Sequence, residues 1–256
     1  MIIAHIDMNK GAIKLLSIPR DIYFNGRKIN SAYSFYGIAE LKRELSIITG
    51  LRIDHYAIID MYAFIDVIDL IGGIDMYLYE PLTDPSYKTF DQGSWGTLNY
   101  ERGWHHLSGV QALRLARSRA TSSDFARAGR QQELLKAIQK KLNSLNVSDA
   151  VTITKMATTI ISKTQMDLSL KTAMLYFFRF KNYAITPVGV LSTINVLDYA
   201  HQKKDDEETE EEKCFRQIGG SVVETKCAEK VEGQYILTPK KDWNAVRWYV
   251  RQLLNG

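Results

Sequence analysis

Over the first eighty positions, apolar residues switch between a two-residue and a 3.6-residue period. Each switch falls at Gly, Pro or a short polar stretch. Strand and helix patterns that alternate this way point to an α/β or α+β sandwich. Residues 2–7 alternate apolar and polar, Asn9-Lys10-Gly11 supplies a turn, and 12–19 run back as a second strand. Pro19 stops that strand, which leaves Arg20 at the head of a loop, well placed to line a site. Residues 39–48 read as a helix closed by Gly50, 56–60 as a strand, 63–71 as an apolar helix ending at Gly72-Gly73, and 74–79 as a strand. Residues 81–100 are rich in turn formers and read as loop with room for one short strand.

Ser108 and Gln111 form a capping-box pattern that opens a helix running to about Arg119. Thr121-Ser122-Ser123 breaks it, and Asp124 can cap a longer helix through about Leu142. Further helices are predicted at 148–162, 169–180 and 243–254, an edge strand interrupted by Pro187 at 183–190, and a last strand at 235–237. The 256 residues suffice for one large domain or two small ones. No stretch reaches the length of a membrane span, and the N-terminus has neither the basic nor the apolar part of a signal peptide.

The net charge of +4 hides an asymmetry, because the run from Lys203 to Lys213 holds seven acids and three lysines and leaves +8 elsewhere. A basic body suits an anionic partner, and equally serves solubility. Nucleic-acid binding is the expectation set aside: it rests on basicity alone, without a helix-turn-helix, zinc or aromatic-sheet signature. Cys214 and Cys227 are the two cysteines; they are free thiols in a reducing compartment, or close one short loop in an oxidising one.

The densest chemistry lies where the two capped helices meet. Arg117, Arg119, Arg127 and Arg130 fall within fourteen positions. The stripe Leu134, Leu135, Ile138 and Leu142, continued backward by three and four residues, reaches Arg130, Gln131 and Arg127. These polar groups therefore sit on the inward face, where arginine needs a partner. Asp124 can pair with one of them, but one carboxylate does not satisfy four guanidinium groups. A phosphate or pyrophosphate does, through forked arginine contacts and backbone donors at a helix N-terminus. Arg117 and Arg119 flank Ser118 and converge only if the helix ends there; otherwise they are a basic helix C-terminus that complements the dipole.

Several segments also carry a resemblance. Ser17-Ile18-Pro19-Arg20-Asp21 and Lys28-Ile29-Asn30-Ser31-Ala32-Tyr33 resemble the opening motifs of the LytR–CpsA–Psr family. Residues 56–60 and Asp69-Leu70-Ile71-Gly72-Gly73-Ile74 resemble its next segments. Leu107 through Leu113, Arg117-Ser118-Arg119, and Asp124 through Arg130-Gln131 resemble its most recognisable block. The matches keep family order from Ile2 to Ile138. The resemblance implies an α/β sandwich with a central mixed sheet flanked by helices and a tunnel for a polyprenyl tail. It implies a phosphotransferase moving a glycopolymer, such as teichoic acid or capsular polysaccharide, from undecaprenyl pyrophosphate to peptidoglycan at the extracytoplasmic membrane surface. Arg20, Arg117, Arg119, Arg127, Arg130 and Gln131 are implied to contact the pyrophosphate, and Asp124 to orient the arginines or the acceptor hydroxyl. Asp21, Lys28 and Asn30 would stand behind them. Residues 62–71 and 174–180 offer an apolar wall for the tail, although apolar helices more often serve as ordinary core.

The resemblance also implies Mg²⁺ held by aspartates that precede the position of Ile2 in the family, and no residue here matches those ligands. The expectation is a single domain over 1–256, N-terminally truncated relative to the family, with an acidic loop insertion at 201–233. An extracytoplasmic setting favours a Cys214–Cys227 bridge. Two other functions share the arginines: a non-catalytic module binding polyprenyl-pyrophosphate glycans, and a pyrophosphohydrolase acting on the same lipid.

Overall fold

The structure, a computed structural model, describes residues 1–91, 94–118, 124–144, 158, 162, 164–199, 213–218, 221–226 and 236–255. Among these residues the chain forms fifteen strands and six helices, and it divides into two compact units. One unit comprises Met1, Ile18–Ile53 and Leu191–Gly256; the other comprises Ile2–Ser17 and Asp54–Val190.

The larger unit is built on a mixed sheet. The predicted hairpin forms from β1 (Ile2–Asp7) and β2 (Ala12–Ser17), which pair antiparallel. On its other side β2 pairs in parallel with β11 (Ala184–Val190). Pro187 lies on this edge strand where the register shifts, the position a residue without an N–H can occupy. Strand β5 (Ala57–Ile59) pairs antiparallel with β10 (Thr164–Met166). The Asp60 side chain then accepts from the Ala63 amide at 2.7 Å and starts α2 (Met61–Leu70). Gly72 and Gly73, both at positive φ, turn the chain into β6 (Ile74–Leu78), which pairs antiparallel with β9 (Gly103–Leu107).

Helix α3 (Gly109–Arg117) starts on the predicted capping box, with the Ser108 and Gln111 side chains bonding each other's backbone. It lies hard against α2: a Cβ on Gly109 would stand 2.3 Å from the Ile65 carbonyl oxygen. The Gly109 amide donates to the Asp69 carboxylate at 2.7 Å. Asp69 and the two glycines after it thus have packing roles, capping the next helix and turning tightly beneath it. Helix α4 (Asp124–Ser144) buries Leu134 against Ile68, Ile74, Leu107 and Leu115, with Ile138 and Leu142 packed alongside, as the stripe predicts. Gln132, two positions before Leu134, is buried and donates to the carbonyls of Leu15 and Gly189 and to the Ser17 hydroxyl. It ties α4 to β2 and β11.

Two expectations for this unit need correction. Residues 81–100 are not loop but an antiparallel hairpin, β7 (Leu82–Asp91) with β8 (Ser94–Tyr100). Their turn-rich composition reflects a register shift between Asp84 and Lys88, and their outer half buries too few side chains to show a period. The apolar residues of α2 and of α5 (Leu170–Phe180) are not all core. Ile68, Ile71 and Phe180 are buried, whereas Tyr62, Leu175 and Phe178 stay largely exposed.

In the smaller unit, β3 (Tyr23–Phe24) and β4 (Arg27–Lys28) form a hairpin over Asn25-Gly26, both at positive φ. That dipeptide is a strong turn signal, here joining strands too short to show alternation. Helix α1 (Ile29–Thr49) starts ten residues before the predicted helix, because Gly37 (φ 80°, ψ −174°) breaks it and masks its first half. Gly50 closes it in the left-handed conformation, as expected. Glu44, fully buried, accepts from Arg27 at 2.7 Å and Asn25 at 3.0 Å, docking α1 on the hairpin. Helix α6 (Trp243–Asn255) packs on α1, where Arg247 donates to the Ile47 carbonyl at 2.6 Å, and its Trp243 meets Phe24 of β3 edge-on. Strands β12 (Leu197–Tyr199) and β15 (Leu237–Pro239) pair antiparallel. Within the predicted insertion, β13 (Lys213–Ile218) and β14 (Ser221–Lys226) form a hairpin. The acids of the charge run, Cys227 and nearly all of the helix predicted at 148–162 lie outside the described residues.

Candidate functional site

Helix α3 ends where its backbone turns extended at Ser118 (φ −55°, ψ 137°). A helix end leaves carbonyls without partners. Here α4 supplies them: Arg130 donates from Nη2 to the Ser118 carbonyl at 2.7 Å and from Nε to that of Leu115 at 3.4 Å. Gln131 donates from Nε2 to the Ala116 carbonyl at 3.0 Å. Two predicted site residues on one helix thus grip the stretch of the other that contains Arg117, which is exposed. The inward orientation read from the stripe holds, with backbone carbonyls as the partners of both residues. Burial lowers the Arg130 pKa, as does the neighbouring positive charge of Arg127, against an opposing pull from Asp84. The positive charges of Arg127 and Arg130 thus act on one another at this junction, a repulsion that an anion would relieve.

Asp84 is the residue that sequence reasoning missed. Its Oδ1 accepts from the Ser86 amide at 3.2 Å, the Ser86 hydroxyl at 2.7 Å and the Tyr87 amide at 3.0 Å. Its Oδ2 accepts from the Ser118 hydroxyl at 2.7 Å, and both residues are buried. The available signal was Asp84-Pro85-Ser86, an aspartate poised to accept from amides two and three residues on.

The smaller unit assembles a second cationic group. Asp21 is buried and accepts from Lys28 Nζ at 2.9 Å and from Arg20 Nε at 3.4 Å. Arg20 keeps 47% of its side chain exposed. The Arg20 carbonyl accepts from the Asn30 amide at 3.2 Å, so the loop lies against the first turn of α1. That turn holds no acidic residue, and Lys28 at the N-cap leaves its amides without a side-chain cap. The Ile29 and Asn30 amides are met instead by the Ile22 and Arg20 carbonyls, which leaves the Arg20 and Lys28 side chains as the cations of this group. The predicted residues thus fall into two groups: Arg20, Asp21, Lys28 and Asn30 in one unit, Arg117, Arg127, Arg130 and Gln131 in the other. Arg119 and the Asp124 side chain lie outside the described residues.

No group of three His, Cys, Asp or Glu able to hold a metal occurs among the described residues. Nor does any described helix have the length and apolarity to cross a membrane.

A family model described as the LytR_cpsA_psr family matches residues 1–211. A Corynebacterium glutamicum protein named "Probable cell wall biosynthesis protein LcpB" is 37% identical over 134 residues, covering 50% of this chain and 30% of that protein. The Bacillus subtilis "Polyisoprenyl-teichoic acid--peptidoglycan teichoic acid transferase TagV" is 30% identical over 167 residues, covering 61% of this chain and 41% of its own. The chain therefore spans less than half the length of either relative. A solved structure, "TagT bound to LIIa-WTA", superposes with a TM-score of 0.63 at 21% identity, covering 99% of this chain and 83% of that one. This likeness bears out the mixed α/β fold.

Proposed function

The chain belongs to the LytR–CpsA–Psr family, and from that premise we propose that it is a glycopolymer phosphotransferase of cell-wall assembly. The donor would be a glycopolymer on undecaprenyl pyrophosphate and the acceptor peptidoglycan, at the extracytoplasmic face of the membrane. The relatives named for cell-wall biosynthesis and teichoic acid transfer support this reading.

The observation that carries it is the junction of α3 and α4, where Arg130 and Gln131 hold the Arg117 segment and Arg127 stands beside Arg130. Phosphoryl transfer needs positioning and charge stabilisation more than covalent help. Arg117 and Arg127 would bind the non-bridging oxygens of the pyrophosphate, with Arg130 fixed behind them. A sugar hydroxyl of the acceptor would attack the phosphorus that bears the glycan, and undecaprenyl phosphate would leave. Fixed donors at the junction stabilise charge without reorganising. The half-exposed Arg20 offers a further cation in the smaller unit.

The test is transfer of a labelled lipid-linked glycan to peptidoglycan oligomers in buffer containing Mg²⁺. Label should appear on the oligomers and vanish with Arg117→Ala. Binding without transfer would mark a lipid-glycan binding module, and release of label as phosphorylated glycan without acceptor would mark a pyrophosphohydrolase. Either outcome would overturn the transferase reading.

A further inference from the structure

We infer that Asp84 is a positioning residue for the arginine cluster, acting through the Ser118 hydroxyl to fix the backbone between Arg117 and the carbonyl that Arg130 grips. The role rests on the reading of that cluster as a pyrophosphate site.

A buried carboxylate is costly unless its oxygens are met by donors. The Ser86 and Tyr87 donors on Oδ1 hold the local turn of β7. That turn needs no help from Oδ2, which instead reaches a residue 34 positions away at the end of α3. Every polar group of Ser118 is engaged there. Its amide donates to the Arg114 carbonyl at 2.9 Å, its hydroxyl to Asp84, and its carbonyl accepts from Arg130. One residue thus ties β7, α3 and α4 together, directly after Arg117 and before Arg119 in the chain. The negative charge of Asp84 also offsets the effect of burial on the Arg130 guanidinium, favouring its charged form. Asp84 itself is 2% exposed and Ser118 fully buried, so the link positions charges without reaching a ligand. Ångström-scale placement of arginine forks governs how well they match two linked phosphates.

The experiment uses Ser118→Ala, Ser118→Thr and Arg117→Ala in the full chain, since Asp84→Ala risks unfolding the β7 turn. Calorimetric affinities for farnesyl pyrophosphate and farnesyl monophosphate are measured together with thermal melts. Ser118→Ala should still fold, bind the pyrophosphate about tenfold more weakly and lose part of its preference over the monophosphate. Ser118→Thr, which keeps the hydroxyl, should restore both. If Ser118→Ala keeps affinity and preference while Arg117→Ala loses them, the Asp84–Ser118 link is merely structural and the proposal is overturned. If Arg117→Ala also binds like the parent chain, the cluster is not the pyrophosphate site, and the proposal falls with that reading.

Discussion

Arg117 and Arg130 are guanidinium groups at one helix junction, yet they differ in what satisfies them. Arg130 is partly buried and spends its donors on two carbonyls of α3, whereas Arg117 is exposed on the last turn. Replacing each by alanine should separate their roles. Arg117→Ala should lower affinity for a polyprenyl pyrophosphate at least about tenfold, the loss of one charge-assisted contact, and leave the urea midpoint unchanged. Arg130→Ala should lower affinity as well and also cost about 1–3 kcal/mol of stability, because it strands buried carbonyls. Equal stability losses in the two variants would sink the distinction. The sequence told that Arg130 faces inward, since the stripe from Leu134 is a local property of one helix. It did not tell that backbone carbonyls would meet it, because those belong to another helix.

Elements are joined by contacts whose purpose shows only in the packing. The close approach of α3 to α2 rests on Gly109, where a methyl group would meet the backbone of Ile65. Backbone yields less than a side chain end, so Gly109→Ala should cost about 3 kcal/mol or more, read from chemical denaturation. Within α1, burial pushes the Glu44 carboxyl above its usual range, against the pull of Asn25, Arg27 and Arg43. A raised carboxyl pKa means that the folded state binds the proton more tightly than the unfolded chain. The stability this contributes is full below the ordinary glutamate range and is lost as pH rises through the raised value. Glu44→Gln should flatten that decline in urea titrations taken across the acid range, and an unchanged slope would contradict it. The hairpin of β7 and β8 went unread for a related reason: its turn formers mark a register shift inside paired strands, which only the partner strand reveals.

At the scale of the whole molecule, a ligand that binds only the folded chain must stabilise it. A polyprenyl pyrophosphate at a hundred times its dissociation constant should add about 2.7 kcal/mol, visible as a raised melting temperature. Arg117→Ala should abolish that rise at the same ligand concentration; a rise of equal size in the variant would place the ligand elsewhere. The sequence by itself determined the mixed α/β character, the capping box at Ser108, the break after α3, the stripe of α4 and the family. All of these are written in periods and spacings along neighbouring residues. Tertiary structure alone decided that Gln132 would bridge to Leu15, Ser17 and Gly189, that Asp69 would cap α3, and that Asp84 would hold Ser118. A buried polar group must find a partner, but the chain leaves the choice to whatever folding brings near. These partners stand 34 to 117 positions apart in sequence, separations across which no local period carries information.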